Sequence, residues 1–203
     1  PLRAFGALVR QRRLVGYALA GALNGAVLFT YISASPGLLI EIYGISPSHF
    51  GWVFGLNAAG VIGASQINRY LLLRATPDGV LRRASLVGAI LGLMLAGAAL
   101  TGLGERWTVL PLLFLMLSTY GFMQGNTMAG ALSIDPSRSG SASALMGGAS
   151  FGVGAVAASL TGLIYDGTPA AMGLAMALAM TGSALVLRLW ALPPEPRVQA
   201  GPA

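Results

Sequence analysis

The stretch "LVGYALAGALNGAVLFTYISASPGLL", residues 14–39, decides the fold because it is long and apolar enough to cross a membrane. A spanning helix needs roughly 20 largely apolar residues. The later part, "FTYISASPG" (29–37), nevertheless carries polar side chains and a proline where lipid would favour leucine. We expect Pro36 to bend or end the helix, because proline removes one hydrogen bond of the ladder. The polar side chains should face other helices or a watery cavity rather than lipid.

The composition of the whole chain indicates an integral membrane protein. Of its 203 residues, 55% are hydrophobic and only 9% are charged, and the mean hydropathy is +0.74. A soluble domain carries about a quarter charged residues. The net charge of +6 could suggest nucleic acid, but the arginines fall between apolar runs and form no single stripe, so we expect no nucleic-acid partner. The absence of cysteine excludes disulfides and thiol catalysis, and with one histidine and six acids we expect no metal site.

Six segments meet the length criterion for a membrane span. They lie at about 14–39, 48–68, 84–103, 107–132, 140–165 and 169–191. Turn residues separate them, and Ser46 followed by Pro47 is typical of an N-cap and first helical residue for the second span. We therefore predict an all-α membrane protein in which 1–13 is a basic linker and 192–203 is a disordered tail.

The arginines predict the orientation of these spans. If the spans alternate in direction, eleven of the twelve arginines fall on one side, and Arg106 falls on the other. The positive-inside rule then places both ends of the segment in the cytoplasm, including the basic linker and the tail. Residues 3–35 could instead be a signal peptide with "SAS" as its cleavage site, but five further spans favour a retained helix.

The spans contain neutral polar residues but no Asp, Glu or Arg deep inside. Helical spacing aligns Asn24 and Tyr31 on one face of the first span, and Tyr120 and Gln124 on one face of the fourth. Asn24 and Asn57, approached from opposite sides, each lie about 15 Å deep in a core about 30 Å thick. We predict that these residues line a substrate cavity: Asn24, Tyr31, Asn57, Tyr120 and Gln124. The alternative is that these side chains only bridge neighbouring helices.

Small residues mark one side of the fifth span. They are Gly140, Ala144, Gly148 and Gly152. Small residues at this spacing allow membrane helices to approach closely, so we predict that this side packs against another helix.

Two long stretches resemble the Bcr/CflA drug-resistance transporters of the major facilitator superfamily. They are "FTYISASPGLLIEIYGISPSHFGWVFGLNAAG" (29–60) and "SRSGSASALMGGASFGVGAVAASLTG" (137–162), similar to that family's seventh and eighth and its eleventh helices. The resemblance implies one lobe of a twelve-helix transporter: the C-terminal half, built as a 3+3 inverted repeat, with an N-terminal six-helix half as its partner. It also implies a bacterial inner membrane location.

The stretch "GASQINRYLLLR" (63–74) resembles a worn copy of a loop motif of that superfamily. Asn68-Arg69 stands where Asp-Arg is usual. The missing aspartate puts a charge-relay gating role in question, whereas Arg69 could still cap the inner end of its helix.

The resemblance implies a proton-coupled antiporter rather than an enzyme. It would export small amphipathic drugs or metabolites by alternating access, driven by the proton gradient without a bound cofactor. Two alternatives remain: an exporter specific for one metabolite, or a six-helix half-transporter or channel that self-assembles. An intramembrane serine protease is disfavoured, because the "SGSAS" serines lie at the inner end of the fifth span whereas His49 lies at the outer end of the second.

Overall fold

The computed structural model describes residues 6, 8–103 and 105–192, and within these ranges it contains six long helices and no strand. The helices are α1 (Arg12–Pro36), α2 (Pro47–Leu71), α3 (Pro77–Thr101), α4 (Glu105–Ile134), α5 (Ser139–Leu163) and α6 (Ala170–Val186). Each is long and apolar enough to span a membrane when the helical turn that continues α6 to Ala191 is included. The prediction of an all-α protein with six spans is therefore confirmed. The predicted tail, apart from Leu192, and residues 1–5 and 7 of the predicted linker lie outside the described residues.

The first helix does not end at the proline. α1 continues through Pro36 into a π-helical turn, Gly37–Ile42, in which the Tyr43 N–H donates to the Leu38 carbonyl at 3.0 Å. A wider turn of this kind keeps the chain helical although proline removes one donor. α6 also continues into a π-helical turn, at Leu187–Ala191.

Capping residues set the start of the next two helices. α2 begins at Pro47 as predicted, although the Ser46 hydroxyl bonds to Nδ1 of His49 at 2.7 Å and not to a backbone N–H. α3 begins at Pro77, about two turns before the predicted span. The hydroxyl of Thr76 accepts a bond from the Gly79 N–H at 3.1 Å there, which satisfies one of the free donors of the first turn.

The packing of the helices has a two-fold pattern. α1 packs mainly against α4, α5 and α6, and α4 packs mainly against α1, α2 and α3. α3 and α6 also pack against each other. Exchanging α1–α3 for α4–α6 leaves this pattern unchanged. Since each triplet has three spans, alternating spans would make the two triplets run in opposite directions across the membrane. The helix contacts thus agree with a 3+3 inverted repeat, in which α2 and α5 are the least enclosed helices.

α1 and α5 approach each other through small residues. A Cβ added at Gly25 would lie 2.9 Å from the carbonyl oxygen of Ser150, and one added at Gly154 would collide with the Phe29 ring. The Ser150 hydroxyl donates to the Gly21 carbonyl at 3.1 Å. Hydrogen bonds of this kind between spanning helices accompany close backbone approach.

The predicted packing side of α5 is not the side that packs within this chain. Its members, Gly140, Ala144, Gly148 and Gly152, are exposed, and space is open around the position of an added Cβ at all three glycines. The contact with α1 lies on the neighbouring side, which holds Met146, Ser150 and Gly154. α5 has small residues on both sides, so helix spacing alone did not identify the side that meets α1.

Candidate functional site

Tyr31 and Asn57 form a buried hydrogen-bonded pair between α1 and α2. The Asn57 side-chain amide donates to the Tyr31 hydroxyl at 3.0 Å, and both residues are buried. The Tyr31 ring stacks on Phe54, with the ring centroids 5.4 Å apart. Phe54 lies three residues before Asn57, on the same side of α2. That spacing was the sequence signal for the Tyr31–Phe54 contact, which was not among the predicted ones.

This pair lines a cavity of about 230 Å³. We call it the α1–α2 cavity; its lining residues are Leu28, Tyr31, Ile32, Phe54, Asn57, Ala58, Val61, Ile62 and Leu117. The polar side chains in this lining are those of Tyr31 and Asn57. An apolar pocket with a hydroxyl and an amide suits an uncharged or amphipathic molecule, because a charged one would require a counter-charge.

Asn24 and Gln124 form a second polar pair, between α1 and α4. The Asn24 amide donates to the Gln124 side-chain carbonyl at 3.3 Å, and Asn24 is fully buried. The Asn24 side-chain oxygen has no hydrogen-bond partner among the described residues. An unpaired buried acceptor costs about 1–3 kcal/mol, so this oxygen is a ready acceptor for any donor that reaches it.

The five predicted cavity residues therefore do not form one connected set. Asn57 meets Tyr31 rather than Asn24, although the depth estimate placed the two asparagines at one level. Tyr120 is half-buried, and in the described part of the chain its hydroxyl bonds to neither pair. The structure thus joins four of the five residues as two pairs on α1, one facing α2 and one facing α4.

The two residues of the loop motif have different surroundings. Asn68 is buried, and its side-chain oxygen accepts a bond from the Asn126 amide at 2.9 Å. Arg69 is exposed at the end of α2. The asparagine that replaces the usual aspartate thus joins α2 to α4 through an uncharged bond, which needs no counter-charge in the membrane.

One polar cluster at the arginine-rich end was not identified from the sequence. The Tyr17 hydroxyl donates to the Asp78 carboxylate at 2.5 Å, and the Arg13 guanidinium lies 3.5 Å from the same carboxylate. Arg13 also donates to the Ala191 carbonyl at 2.9 Å. The cluster therefore ties the starts of α1 and α3 to the end of the last helix. Arg13 and Tyr17 are one helical turn apart, but Asp78 and Ala191 are far from them in the sequence, and no spacing rule connects these distant residues to α1.

Two curated proteins are similar to this chain over most of its length. The chain is 30% identical over 183 residues to a bicyclomycin resistance protein homolog of Haemophilus influenzae, a match that covers 90% of this chain. It is 32% identical over 182 residues to the uncharacterized MFS-type transporter YdgK of Bacillus subtilis, where 86% of this chain is covered. The predicted resemblance to Bcr/CflA transporters is confirmed. No family profile matches the chain, and no solved structure matches it.

The Bcr/CflA-like chain spans about half the length of the curated relatives it matches, namely 46% and 43%. This coverage fits the predicted C-terminal half of a longer transporter. The Bacillus subtilis relative is named as a transporter, which agrees with the prediction that the chain is not an enzyme. Six apolar helices and these relatives together identify the Bcr/CflA-like chain as a multi-pass membrane protein.

Proposed function

We propose that this chain is the C-terminal lobe of a drug- or metabolite-efflux transporter, which works by alternating access with an N-terminal six-helix lobe. Proton-coupled antiport would drive export across a bacterial inner membrane, with the arginine-rich end in the cytoplasm. The observation that carries the proposal is the Tyr31–Asn57 pair in the apolar α1–α2 cavity. The name of the Haemophilus influenzae relative supports a role in drug resistance.

The other lobe would lie against α2 and α5. These two helices are the least enclosed, and the small-residue side of α5 is open. Small residues allow the close approach of another helix without a hydrophobic driving force. In this arrangement the packing role predicted for Gly140, Ala144, Gly148 and Gly152 is a contact between lobes rather than within one.

The substrate would bind between the lobes, near the middle of the membrane. Tyr31 would offer a flat apolar face with a hydroxyl, and Asn57 an adaptable amide. The unpaired oxygen of Asn24 would accept a bond from a substrate donor when movement of the lobes exposes it. The described part of this lobe offers no deeply buried carboxylate to this region, so the proton-carrying acid is expected in the other lobe.

Transport by cavity variants tests the proposal. In the full-length protein, Tyr31→Ala and Asn24→Leu should each lower export by roughly three- to tenfold, which corresponds to the loss of one hydrogen bond or contact. Drug accumulation in inverted vesicles measures export, and a blot measures abundance in the membrane. Tyr70→Ala is the matched control, because Tyr70 is exposed and lies outside the α1–α2 cavity. Normal export by both cavity variants would show that the cavity assignment is wrong.

Expression of residues 1–203 alone tests the self-assembling alternative. The proposal expects this segment to reach the membrane without exporting drug. Export by the segment alone would favour a transporter or channel assembled from copies of this lobe.

A further inference from the structure

A larger cavity lies at the arginine-rich end of the lobe, away from the α1–α2 cavity. α2 and α3 both pack on α4 but make little contact with each other, so a cleft opens between them with α4 as its floor. Its volume is about 480 Å³. We call it the arginine cleft; its lining residues are Leu71, Arg74, Ala75, Thr76, Gly79, Val80, Arg83, Ala84, Val87, Thr119 and Phe122.

The mouth of the arginine cleft is positively charged. Arg74 lies in the α2–α3 loop and Arg83 lies in α3, and both are exposed. Elsewhere in the described chain, the arginines with a partner are Arg12, Arg13, Arg82, Arg106 and Arg138. Among the described residues, the cleft lining contains no carboxylate, and the nearby Asp78 is already bonded to Tyr17 and Arg13. Arg74 and Arg83 thus lie at one cavity whose described lining carries no negative charge to neutralise them.

The deeper part of the arginine cleft is apolar. Val87 lies one helical turn beyond Arg83, about 6 Å further along α3. Leu71, Val80 and Phe122 complete the apolar walls. Thr119 adds little polarity, because its hydroxyl donates to the Met116 carbonyl at 2.6 Å. The cleft therefore combines a cationic mouth near the α2–α3 loop with an apolar interior between the spanning helices.

We propose that the arginine cleft binds one anionic phospholipid. The lipid phosphate would lie between Arg74 and Arg83, whose guanidinium groups match phosphate oxygens in a bidentate way. An acyl chain would lie along Leu71, Val87 and Phe122. Basic pockets between spanning helices are suited to anionic head groups, whereas the cation of a zwitterionic head group would meet two arginines of like charge. This inference requires only insertion in a membrane and does not depend on what the lobe transports.

Lipid binding by the full-length transporter tests the proposal. The purified, delipidated protein is mixed with phosphatidylglycerol or phosphatidylcholine of identical acyl chains, and native mass spectrometry measures the bound lipid. We expect preferential binding of phosphatidylglycerol, and a loss of roughly fivefold for Arg74→Gln and for Arg83→Gln. Arg188→Gln is the matched control, because Arg188 is exposed at the same end but outside the cleft, and it should bind phosphatidylglycerol normally.

A second pair of variants tests the apolar interior without changing the charge. Ala84→Phe fills the arginine cleft and should lower phosphatidylglycerol binding, whereas Leu86→Phe, an exposed position of α3 outside the lining, should not. Thermal unfolding in phosphatidylcholine shows whether each variant is folded.

Two results would overturn the proposal. Inorganic phosphate that displaces phosphatidylglycerol at equal concentration would identify a simple anion site rather than a lipid site. Equal phosphatidylglycerol binding by all variants would show that the lipid does not bind in the arginine cleft.

Discussion

Gly121 allows the backbones of α2 and α4 to come into contact where the two helices cross. A Cβ added at Gly121 would collide with the Val61 carbonyl oxygen and would lie 2.9 Å from the Ser65 nitrogen, both in α2. A side chain would have to push one helix away from the other, because the obstructing atoms belong to the backbone. One turn later, a Cβ added at Gly125 would have open space around it.

This difference predicts opposite effects for two alanine substitutions on one helix. Gly121→Ala should destabilise the protein by about 1–3 kcal/mol, the usual cost of overpacking. Gly125→Ala should leave stability unchanged or raise it slightly, because alanine favours the helix. Thermal unfolding in detergent compares the two. A Gly121→Ala variant as stable as the parent would show that α2 and α4 do not cross so closely.

Asn57 shows that a depth estimate can predict a position along a helix but not the residue that it contacts. Counting residues from the helix ends placed Asn24 and Asn57 deep in the membrane, and both are buried. It did not identify their partners, because a partner depends on helix tilt and on the vertical shift between helices. Tyr31, seven residues after Asn24, is the residue that Asn57 meets.

At the scale of elements, the Tyr17–Asp78 bond joins the second turn of α1 to the first turn of α3. Tyr17 is buried, and a hydrogen bond to a charged group contributes about 1.5–3 kcal/mol. Asp78→Ala should therefore destabilise the protein by an amount in that range. Asp135→Ala is the control, because it also removes one carboxylate at the same end, but one whose short bonds are to the neighbouring Ser137 and Arg138 and whose bond from the distant Gln11 amide is long, at 3.4 Å. Equal melting temperatures for the two variants would contradict a tie between α1 and α3.

Hydropathy predicted the six spans but not all their ends. The apolar run of the third span begins at about residue 84, whereas α3 begins at Pro77. The extra turns contain Arg82 and Arg83, which are helical but charged, so a length criterion based on apolar residues does not count them. Thr76 and Pro77 were the local signal for the true start.

At the scale of the whole molecule, the arginines gather at one end and predict which end is cytoplasmic. The segment has no cysteine, so a single introduced cysteine reports the side on which it lies, once cysteines elsewhere in the full-length protein are replaced. Ser137→Cys, at the arginine-rich end, should react with a membrane-impermeant maleimide only in inverted vesicles. Ser48→Cys, at the other end, should react only in right-side-out cells. Both serines are exposed, and the opposite labelling would reverse the proposed orientation.

The helix count and the location of polar residues could be predicted from the sequence, because length, hydropathy and spacing are local properties. The pairing of helices could not. α5 carries small residues on two sides, and only the three-dimensional arrangement shows that Ser150 and Gly154 meet α1 while Gly148 and Gly152 stay open. The Arg13–Asp78 contact is likewise a product of the assembled fold.

The unequal sharing of neighbours among the helices has a mechanical consequence. α2 is held mainly by α4, and α5 mainly by α1, whereas α1 and α4 are each surrounded on three sides. Tilting α2 or α5 disturbs a single principal interface in this lobe, but moving α1 or α4 disturbs several at once. The lobe thus consists of four helices that constrain one another and two outer helices, α2 and α5, that can tilt more easily. These are the helices that would face the other lobe in the proposed transporter.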